Sequence, residues 1–567
     1  MKKLYSISIA CVSHRGLFFL ILLFSLFFYY KEKDFENTLL HGNTSFLIFE
    51  FVTCSLLYLF LKCFQKSNIR AKVFSLGIVF SYYIAYEFLF RQFGSVLKLQ
   101  DFLLFSEFVE VLPFKDVFTL FFITLTPLVL YFSNLSFLSN YPKIIIPSVL
   151  TSLFFLTFNL PLNIKKSVYE SIPLKSFSAE HVVAYYGVIT AAIIFEFERQ
   201  FFRDSILQEE SSFVKGLSSS INLPEEQFLD KKNIHMIVYE SYIDVRRLKS
   251  VKVPDVLIRE INNSYLSSPS TSIAPGFGNG TARSEFEILC GVPSLQLLGA
   301  IEFNLFEGEE KIDCLPSFLS QHGFKTIASH PFKPNYYNRI KAYQTLSFNE
   351  IRFGEKYSKV LGGIKIDDAP AGWLFDKSLF HQNLSLVKEN LKQGNIIFNY
   401  VLTAYGHYPF ERSEKLRPSV INVEGVDTEV NRLFNQTYYR IKELDKYIRS
   451  LREIDPTSLI VIVGDHLPPL TGGESTYKKL GLSSNLKYDD DVELFDRSKF
   501  YESFAIMLDG SNENELPNIT HFNLKNIIMD NLYRKEFCKK NNCKTTRKTE
   551  DYKNEYMKLI YRALKSD

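Results

Sequence analysis

Apolar positions follow two different rhythms along this chain. Up to about Leu160 they come in long runs, Gly16–Tyr30, Ser45–Leu61, Val73–Phe90, Val117–Phe137 and Ile144–Leu160, separated by polar connections. Several approach the ~20 residues that carry a helix across a bilayer, and the shorter ones can extend into their polar flanks. From Asn233 onward the runs shrink to strand length: Ile234–Tyr239, Lys325–Ala328, Ile396–Leu402, Leu459–Val463 and Phe504–Leu508, with helical periodicity between them, as in Tyr438–Arg452. Short apolar strands alternating with helices predict an α/β domain with a largely parallel sheet. Sheets of that kind bind ligands at the carboxyl ends of their strands.

The first part therefore reads as a five-helix transmembrane domain, residues 1–160. Lys2 and Lys3 ahead of the first run raise the alternative of a cleaved signal peptide, but Tyr29, Tyr30, Lys31 and Glu32 follow it and no small-residue cleavage site does. Basic residues set the orientation. Lys2, Lys3 and Arg15 precede the first run, and Lys62, Lys66, Arg70 and Lys72 fill the second connection, whereas the first connection mixes Lys31 and Lys33 with Glu32, Asp34 and Glu36. Five crossings from a cytoplasmic start place everything after Leu160 outside the cytoplasm. Val182–Phe195 is apolar enough for a sixth crossing, which would reverse that result. It is short and runs into Glu196, Glu198, Arg199 and Arg203, so a helix lying at the membrane surface is the reading adopted. Residues 161–232 are then an interfacial helix and linker, 233–530 the catalytic domain and 531–567 a basic tail. That tail reads as a solvated extension, with contact to anionic lipid or an anionic glycan as the alternative.

Charge and cysteine use sharpen this. A formal net charge of +3 over 567 residues gives no support for a nucleic-acid partner. Cys11, Cys54 and Cys63 lie in or beside membrane runs, leaving four, Cys290, Cys314, Cys538 and Cys543, in the external part. An oxidising compartment allows disulfides there, and Cys290–Cys314 with Cys538–Cys543 is the expected pairing of the three available. A zinc cluster is disfavoured because Cys538 and Cys543 have no second close pair.

The chemistry gathers at the predicted strand ends. Glu240 follows the first strand, His330 the second, His407 the third, and Asp465 and His466 the fourth; the chain has ten histidines in all. One such histidine is most often structural, but three at one sheet edge with two acids form a set. Ahead of the second strand lies Gly276-Phe277-Gly278-Asn279-Gly280-Thr281-Ala282-Arg283-Ser284-Glu285-Phe286-Glu287. Its glycines permit close approach to a ligand, and Thr281 stands where a turn passes into a helix expected from about Arg283. A hydroxyl there can attack phosphorus if something lowers its pKa. Carboxylates with imidazole suit a divalent cation, Mn²⁺ or Zn²⁺. Glu240, Asp465 and His466 would supply three ligands and the Thr281 oxygen the fourth, with His407 protonating a leaving alkoxide or holding the phosphate.

These residues resemble the lipoteichoic acid synthase and phosphoglycerol transferase family of the alkaline phosphatase and sulfatase superfamily. The pieces that carry the resemblance are Val238-Tyr239-Glu240-Ser241-Tyr242, Gly280 to Glu287, His330 with Asn338-Arg339, Gly406-His407-Tyr408-Pro409-Phe410 and Gly464-Asp465-His466. It implies an alkaline phosphatase-like (sulfatase-like) extracytoplasmic domain on a bacterial cytoplasmic (inner) membrane protein. It further implies one metal ion held by Glu240, Thr281, Asp465 and His466, with Thr281 as covalent nucleophile. A head-group phosphate would be held by His330, Arg339 and His407 beside Tyr337. The implied donor is phosphatidylglycerol and the acceptor an envelope glycan or polymer, which the sequence leaves open among teichoic acid, periplasmic glucan, capsule and lipopolysaccharide. Two departures stand out: Tyr336-Tyr337-Asn338-Arg339 replaces Phe-Trp-Asn-Arg, and Phe332 stands where the synthases carry an acid. A phosphoethanolamine transferase, using phosphatidylethanolamine, is the runner-up. A sulfatase is disfavoured because Thr281 lacks the Cys/Ser-x-Pro-x-Arg context, and a two-metal phosphatase because no second Asp/His set is found. A lipid-binding protein without catalysis is the remaining alternative, against which the intact set Glu240, Thr281, Asp465 and His466 argues.

Overall fold

The computed structural model describes residues 45–65, 69–93, 97, 99, 114–134, 160–172, 179–208, 223–295, 301–306, 311–354, 373–484, 497, 499–510, 512–514, 516–541, 543 and 549–564. The chain divides into two compact units with the principal boundary after Gln208.

In the first unit the second and third apolar runs, and the fourth as far as Ser133, fall in helices Ser45–Cys63, Ile69–Phe93 and Phe114–Ser133. The first run, and the fifth up to its last residue, lie outside the described residues. Among the described residues no helix is long and apolar enough to cross a membrane. Large apolar side chains nevertheless point outward from these helices, among them Ile48, Val52, Leu56, Phe118, Phe122 and Phe132.

The segment read as a surface helix is broken in two, Ala179–Tyr186 and Val188–Gln208, at Gly187. Gly187 has φ +97, a conformation costly to residues with a Cβ, and any Cβ there would collide with Glu50. The fully buried Glu50 carboxylate accepts the Ile189 amide at 2.9 Å and the Thr190 amide at 3.0 Å, capping the second helix, while Tyr83 donates to it from the neighbouring helix. Backbone donors freed at the break are thus satisfied by one acid.

The second unit is built on a nine-stranded sheet. Its strands are β1 (Ile234–Tyr239), β2 (Ser270–Ile273), β3 (Lys325–His330), β4 (Glu350–Phe353), β5 (Ile397–Leu402), β6 (Leu459–Gly464), β7 (Glu502–Asp509), β8 (Asn512–Asn514) and β9 (Ile519–Thr520). They lie in the order β4-β3-β5-β1-β6-β7-β2-β9, with β8 on β7. The five strands β4, β3, β5, β1 and β6 run parallel, and β7 is antiparallel to β6. All five strands expected from the sequence are present. Strands β1, β5 and β6 are buried along their whole length, which is why they read as continuous apolar runs rather than alternating ones. His235, the polar exception in β1, is held by Asp455 at 2.9 Å and Asn399 at 3.2 Å.

Helix Thr428–Ile454 buries Val430, Leu433, Phe434, Thr437, Ile441, Leu444, Ile448 and Leu451, one stripe at helical spacing, and helix Asp376–Lys392 packs beside it. Each fully buried aliphatic side chain of that stripe contributes about 1.5–3 kcal/mol of transfer free energy. Arg440 crosses the seam to Asp376 at 2.8 Å, both fully buried, and stacks its guanidinium 4.1 Å from the Tyr239 ring.

The C-terminal region differs from the solvated extension expected. Helix Thr549–Leu564 buries Tyr552, Tyr556, Ile560 and Ala563; Tyr556 meets Phe286 edge-on, its hydroxyl donating to Glu302. Its Lys and Arg suggested solvation, but the aromatic and aliphatic residues recur at helical spacing and bury one face. Both expected disulfides, Cys290–Cys314 and Cys538–Cys543, are formed.

Candidate active site

Four predicted residues meet at the carboxyl edge of β1 and β6. β1 leads into Glu240 and Ser241, and β6 ends at Gly464, the residue before Asp465 and His466. Parallel pairing of Tyr239 with Gly464 brings those acids side by side. The Thr281–Cys290 helix arrives from the other side, with its first residue two positions earlier than the sequence predicted. Gly280 precedes it at φ +81, which turns the chain sharply enough to put Thr281 at the helix start. Thr281 Oγ1 lies 2.9 Å from Asp465 Oδ2, 3.3 Å from Glu240 Oε2 and 3.4 Å from His466 Nε2. Glu240, Thr281, Asp465 and His466 are all buried.

Each of these donors is aimed. Asp465 Oδ1 takes the Ser241 and His466 amides, both at 2.7 Å, so Oδ2 is the oxygen that faces Thr281. Glu240 Oε1 accepts the Ser241 hydroxyl at 2.7 Å, leaving Oε2 toward Thr281. Ser241 is a non-glycine residue at φ +44, local strain of the kind that collects at functional sites. His466 Nδ1 donates to the Leu467 carbonyl at 2.9 Å, which makes Nε2 the basic nitrogen. The Asp465 carbonyl is pinned by the Ser284 hydroxyl at 2.8 Å and His521 Nε2 at 3.1 Å, and His521 Nδ1 is fixed by Ser272 at 2.7 Å. Ser272, Ser284 and His521 were missed from the sequence; they look ordinary until the fold stacks them behind Asp465.

Glu240, Asp465 and His466 each offer a ligand atom, all within 4.8 Å of one another. Burial, followed by the Glu240 charge, pushes Asp465 up to about 6. Two crowded buried acids with one unprotonated imidazole nitrogen form a donor set that suits a divalent cation, whose charge offsets their repulsion. The residues present therefore fit the metal that the resemblance implies.

The remaining predicted residues form a second group. His330, at the end of β3, is buried; its Nδ1 faces the Leu402 carbonyl at 3.4 Å, and its Nε2 has no hydrogen-bond partner among the described residues. Burial and then the Arg339 charge hold it well below its ordinary value. An orphaned buried nitrogen of this kind calls for a ligand. His407 Nδ1 donates to the Tyr408 carbonyl at 2.8 Å, and burial holds the ring down at about 4. Gly406 before it passes against the Glu240 carbonyl and Arg440, where a Cβ would clash with both.

Arg339 is 2% exposed and pairs through Nε with Glu285 at 2.8 Å, a partner not expected from the sequence. Its guanidinium also stands 5.3 Å from the Tyr337 ring and 5.8 Å from that of Tyr336. Phe332 packs 4.8 Å from Trp373 and 5.1 Å from Tyr336, and Trp373 stacks 4.8 Å from His407. Trp373, the one tryptophan of the chain, was also missed, since a lone aromatic in a loop carries no periodic signal.

Residues 257–498 match the family model described as Sulfatase. This stretch is therefore similar to sulfatase-family domains. It carries Thr281, His330, Arg339, His407, Asp465 and His466, so the resemblance read from the motifs holds at that level. The chain is also 31% identical over 271 residues to a Rhizobium meliloti protein named for cyclic beta-1,2-glucan modification, covering 45% of this chain and 39% of that one. The match thus spans about two fifths of the relative's length. Solved structures similar to it include the lipoteichoic acid synthase LtaP of Listeria monocytogenes, at 19% identity over 55% of this chain and 76% of that one, TM-score 0.43. The phosphoglycerol transferase GacH of Streptococcus pyogenes has 19% identity, 64% and 92% coverage and a TM-score of 0.42. The phosphoethanolamine transferase EptA of Neisseria meningitidis has 13% identity, 91% and 95% coverage and a TM-score of 0.49.

Proposed function

We propose that this protein is a membrane-bound, metal-dependent transferase. It moves a phosphoglycerol head group from phosphatidylglycerol to an envelope glycan or polymer and releases diacylglycerol. The observation that carries the reading is the Thr281 hydroxyl at a helix start, ringed by Asp465, Glu240 and His466 within 3.4 Å. In the first step Thr281 Oγ1 bonds to phosphorus as the bond from phosphorus to the diacylglycerol oxygen breaks, and that oxygen leaves with a proton. In the second an acceptor hydroxyl loses its proton, bonds to phosphorus and displaces Thr281. A divalent ion bound by Glu240, Thr281, Asp465 and His466 would favour the threonine alkoxide and shield phosphoryl charge.

The chain's own groups divide the remaining tasks. The helix start directs amides at the phosphate. His330 and Arg339 hold its oxygens, Arg339 by a planar fork suited to them, and Tyr337 walls the head group. His407, with Nδ1 tied to a carbonyl, presents Nε2: protonated it serves the leaving oxygen, and neutral it takes the acceptor's proton.

An extracytoplasmic active site is supported by the two disulfides. It is supported further by the break at Gly187: segments of 8 and 21 residues hang on Glu50 near the start of helix Ser45–Cys63, and the longer one carries Glu196, Glu198, Arg199 and Arg203. That arrangement supports a segment at the interface rather than a sixth crossing. Among acceptors, the name of the Rhizobium meliloti relative favours a periplasmic glucan. Phe332 packed on Trp373 favours a second reading, phosphoethanolamine transfer, because aromatic faces attract an ammonium group.

Intact-mass spectrometry after incubation with each lipid tests both readings. A phosphoglycerol increment on Thr281 is expected; a phosphoethanolamine increment selects the second reading, and no increment from either lipid sinks the covalent mechanism.

A further inference from the structure

Glu285 follows Thr281 by four residues, one helical turn, so the two share a face of the Thr281–Cys290 helix. The sequence gives it a bland role as an acid near a helix start, but its surroundings are of another kind. It is fully buried, and its carboxylate accepts Arg339 Nε at 2.8 Å, Tyr343 OH at 2.5 Å and Tyr400 OH at 2.9 Å. Macrodipole stabilisation fades beyond the first turn and needs none of these contacts.

Arg339 is the only charged partner among the three. Burial opposes its charge and Glu285 restores it, and that same charge depresses both His330 and His407. A long side chain with several rotamers is thereby fixed at Nε, and although Nη1 also reaches the Tyr336 carbonyl at 3.5 Å, the Nη groups keep further N–H donors to meet an anion. We propose that Glu285 is a positioning residue for phosphate recognition: it ties Arg339 to the helix that carries Thr281, so nucleophile and phosphate clamp move as one body. The proposal rests on the reading that the pocket beside His330 receives a phosphate group, but not on which lipid supplies it.

The test uses full-length, metal-loaded protein and inorganic phosphate as the probe, read by calorimetry. Glu285→Gln keeps an acceptor for both tyrosines and removes the charge that holds Arg339. It is expected to weaken phosphate binding about tenfold, with metal content unchanged. Arg339→Gln is expected to weaken it at least as much. In a double-mutant cycle, Glu285→Gln added to Arg339→Gln should change the dissociation constant by less than about twofold, because Glu285 acts only through Arg339. Additive losses overturn the proposal, as does unchanged phosphate binding in Glu285→Gln. Should that variant fail to fold, Glu285→Asp retains a buried charge and shortens its reach; wild-type phosphate affinity there is an equally decisive refutation. Wild-type protein that binds phosphate yet transfers no phosphoglycerol would count against the functional reading alone, whereas wild-type protein that binds no phosphate overturns this one.

Discussion

The two halves of the site are held in different ways. The half around Thr281, proposed to hold the metal, sits on adjacent parallel strand ends, and its acids are oriented by backbone amides and one neighbouring hydroxyl. The half around Arg339 draws on the end of β3, on the loops that carry Trp373 and His407, and on the turn where Tyr337 and Asn338 both have φ +54, and it is held by ring stacking and the Arg339–Glu285 pair. Amides on a sheet edge place an oxygen to a few tenths of an ångström, as bond formation requires. Stacked rings tolerate changes of shape, as substrate choice requires. Chemistry is therefore expected to be brittle to substitution here and specificity pliable.

The strongest way to break this contrast is Thr281→Ala. It should lower turnover by at least about 10³-fold and abolish the mass increment while leaving the melting temperature within a few degrees. Full activity in that variant refutes the nucleophile.

Next comes Asp465→Asn, or chelation of the wild type, each expected to cost about 10²-fold or more in activity and, for the variant, most of the bound metal by elemental analysis. The ion-free protein should also titrate. Asp465 has its folded value raised to about 6, so between its unfolded value near 4 and about 6 the folded state binds the extra proton. Stability of the ion-free form then falls as pH rises through that window, by roughly 2–3 kcal/mol in all. Metal affinity runs the other way, weakening about tenfold per pH unit below about 6, because the ligand must be deprotonated. Metal affinity that is flat from pH 4 to 7 would contradict both.

On the proposed head-group side, Trp373→Leu should raise the donor KM about tenfold through lost stacking on His407 and Phe332, with metal content unchanged. A loss of metal would show that the halves are not separate. The smallest effect is expected far from both: Tyr556→Phe removes one 3.3 Å hydrogen bond to Glu302 and should lower stability by about 1 kcal/mol by denaturant titration, with activity retained.

Much of this was legible in the sequence for identifiable reasons. Strands buried on both faces must be continuously apolar, so β1, β5 and β6 announce themselves. Residues that follow such strands emerge at one edge, so Glu240, His407, Asp465 and His466 could be grouped without coordinates. A glycine-rich turn before a helix marked Thr281. Less was legible wherever the partner is distant along the chain: Arg339 looked like a phosphate ligand alone until Glu285 proved to hold its Nε, and Glu285 and Glu287 looked like helix-start acids. Glu287 is in fact paired with Arg497, 210 residues away.

The chain by itself determined its element types and the identity of its reactive groups, because period and residue chemistry are local properties. Tertiary structure alone decided which atoms of those groups face one another: Asp465 Oδ2 rather than Oδ1, His466 Nε2 rather than Nδ1, and the docking of the C-terminal helix. Those outcomes depend on hydrogen bonds and burial between segments far apart in sequence, where no local pattern reaches.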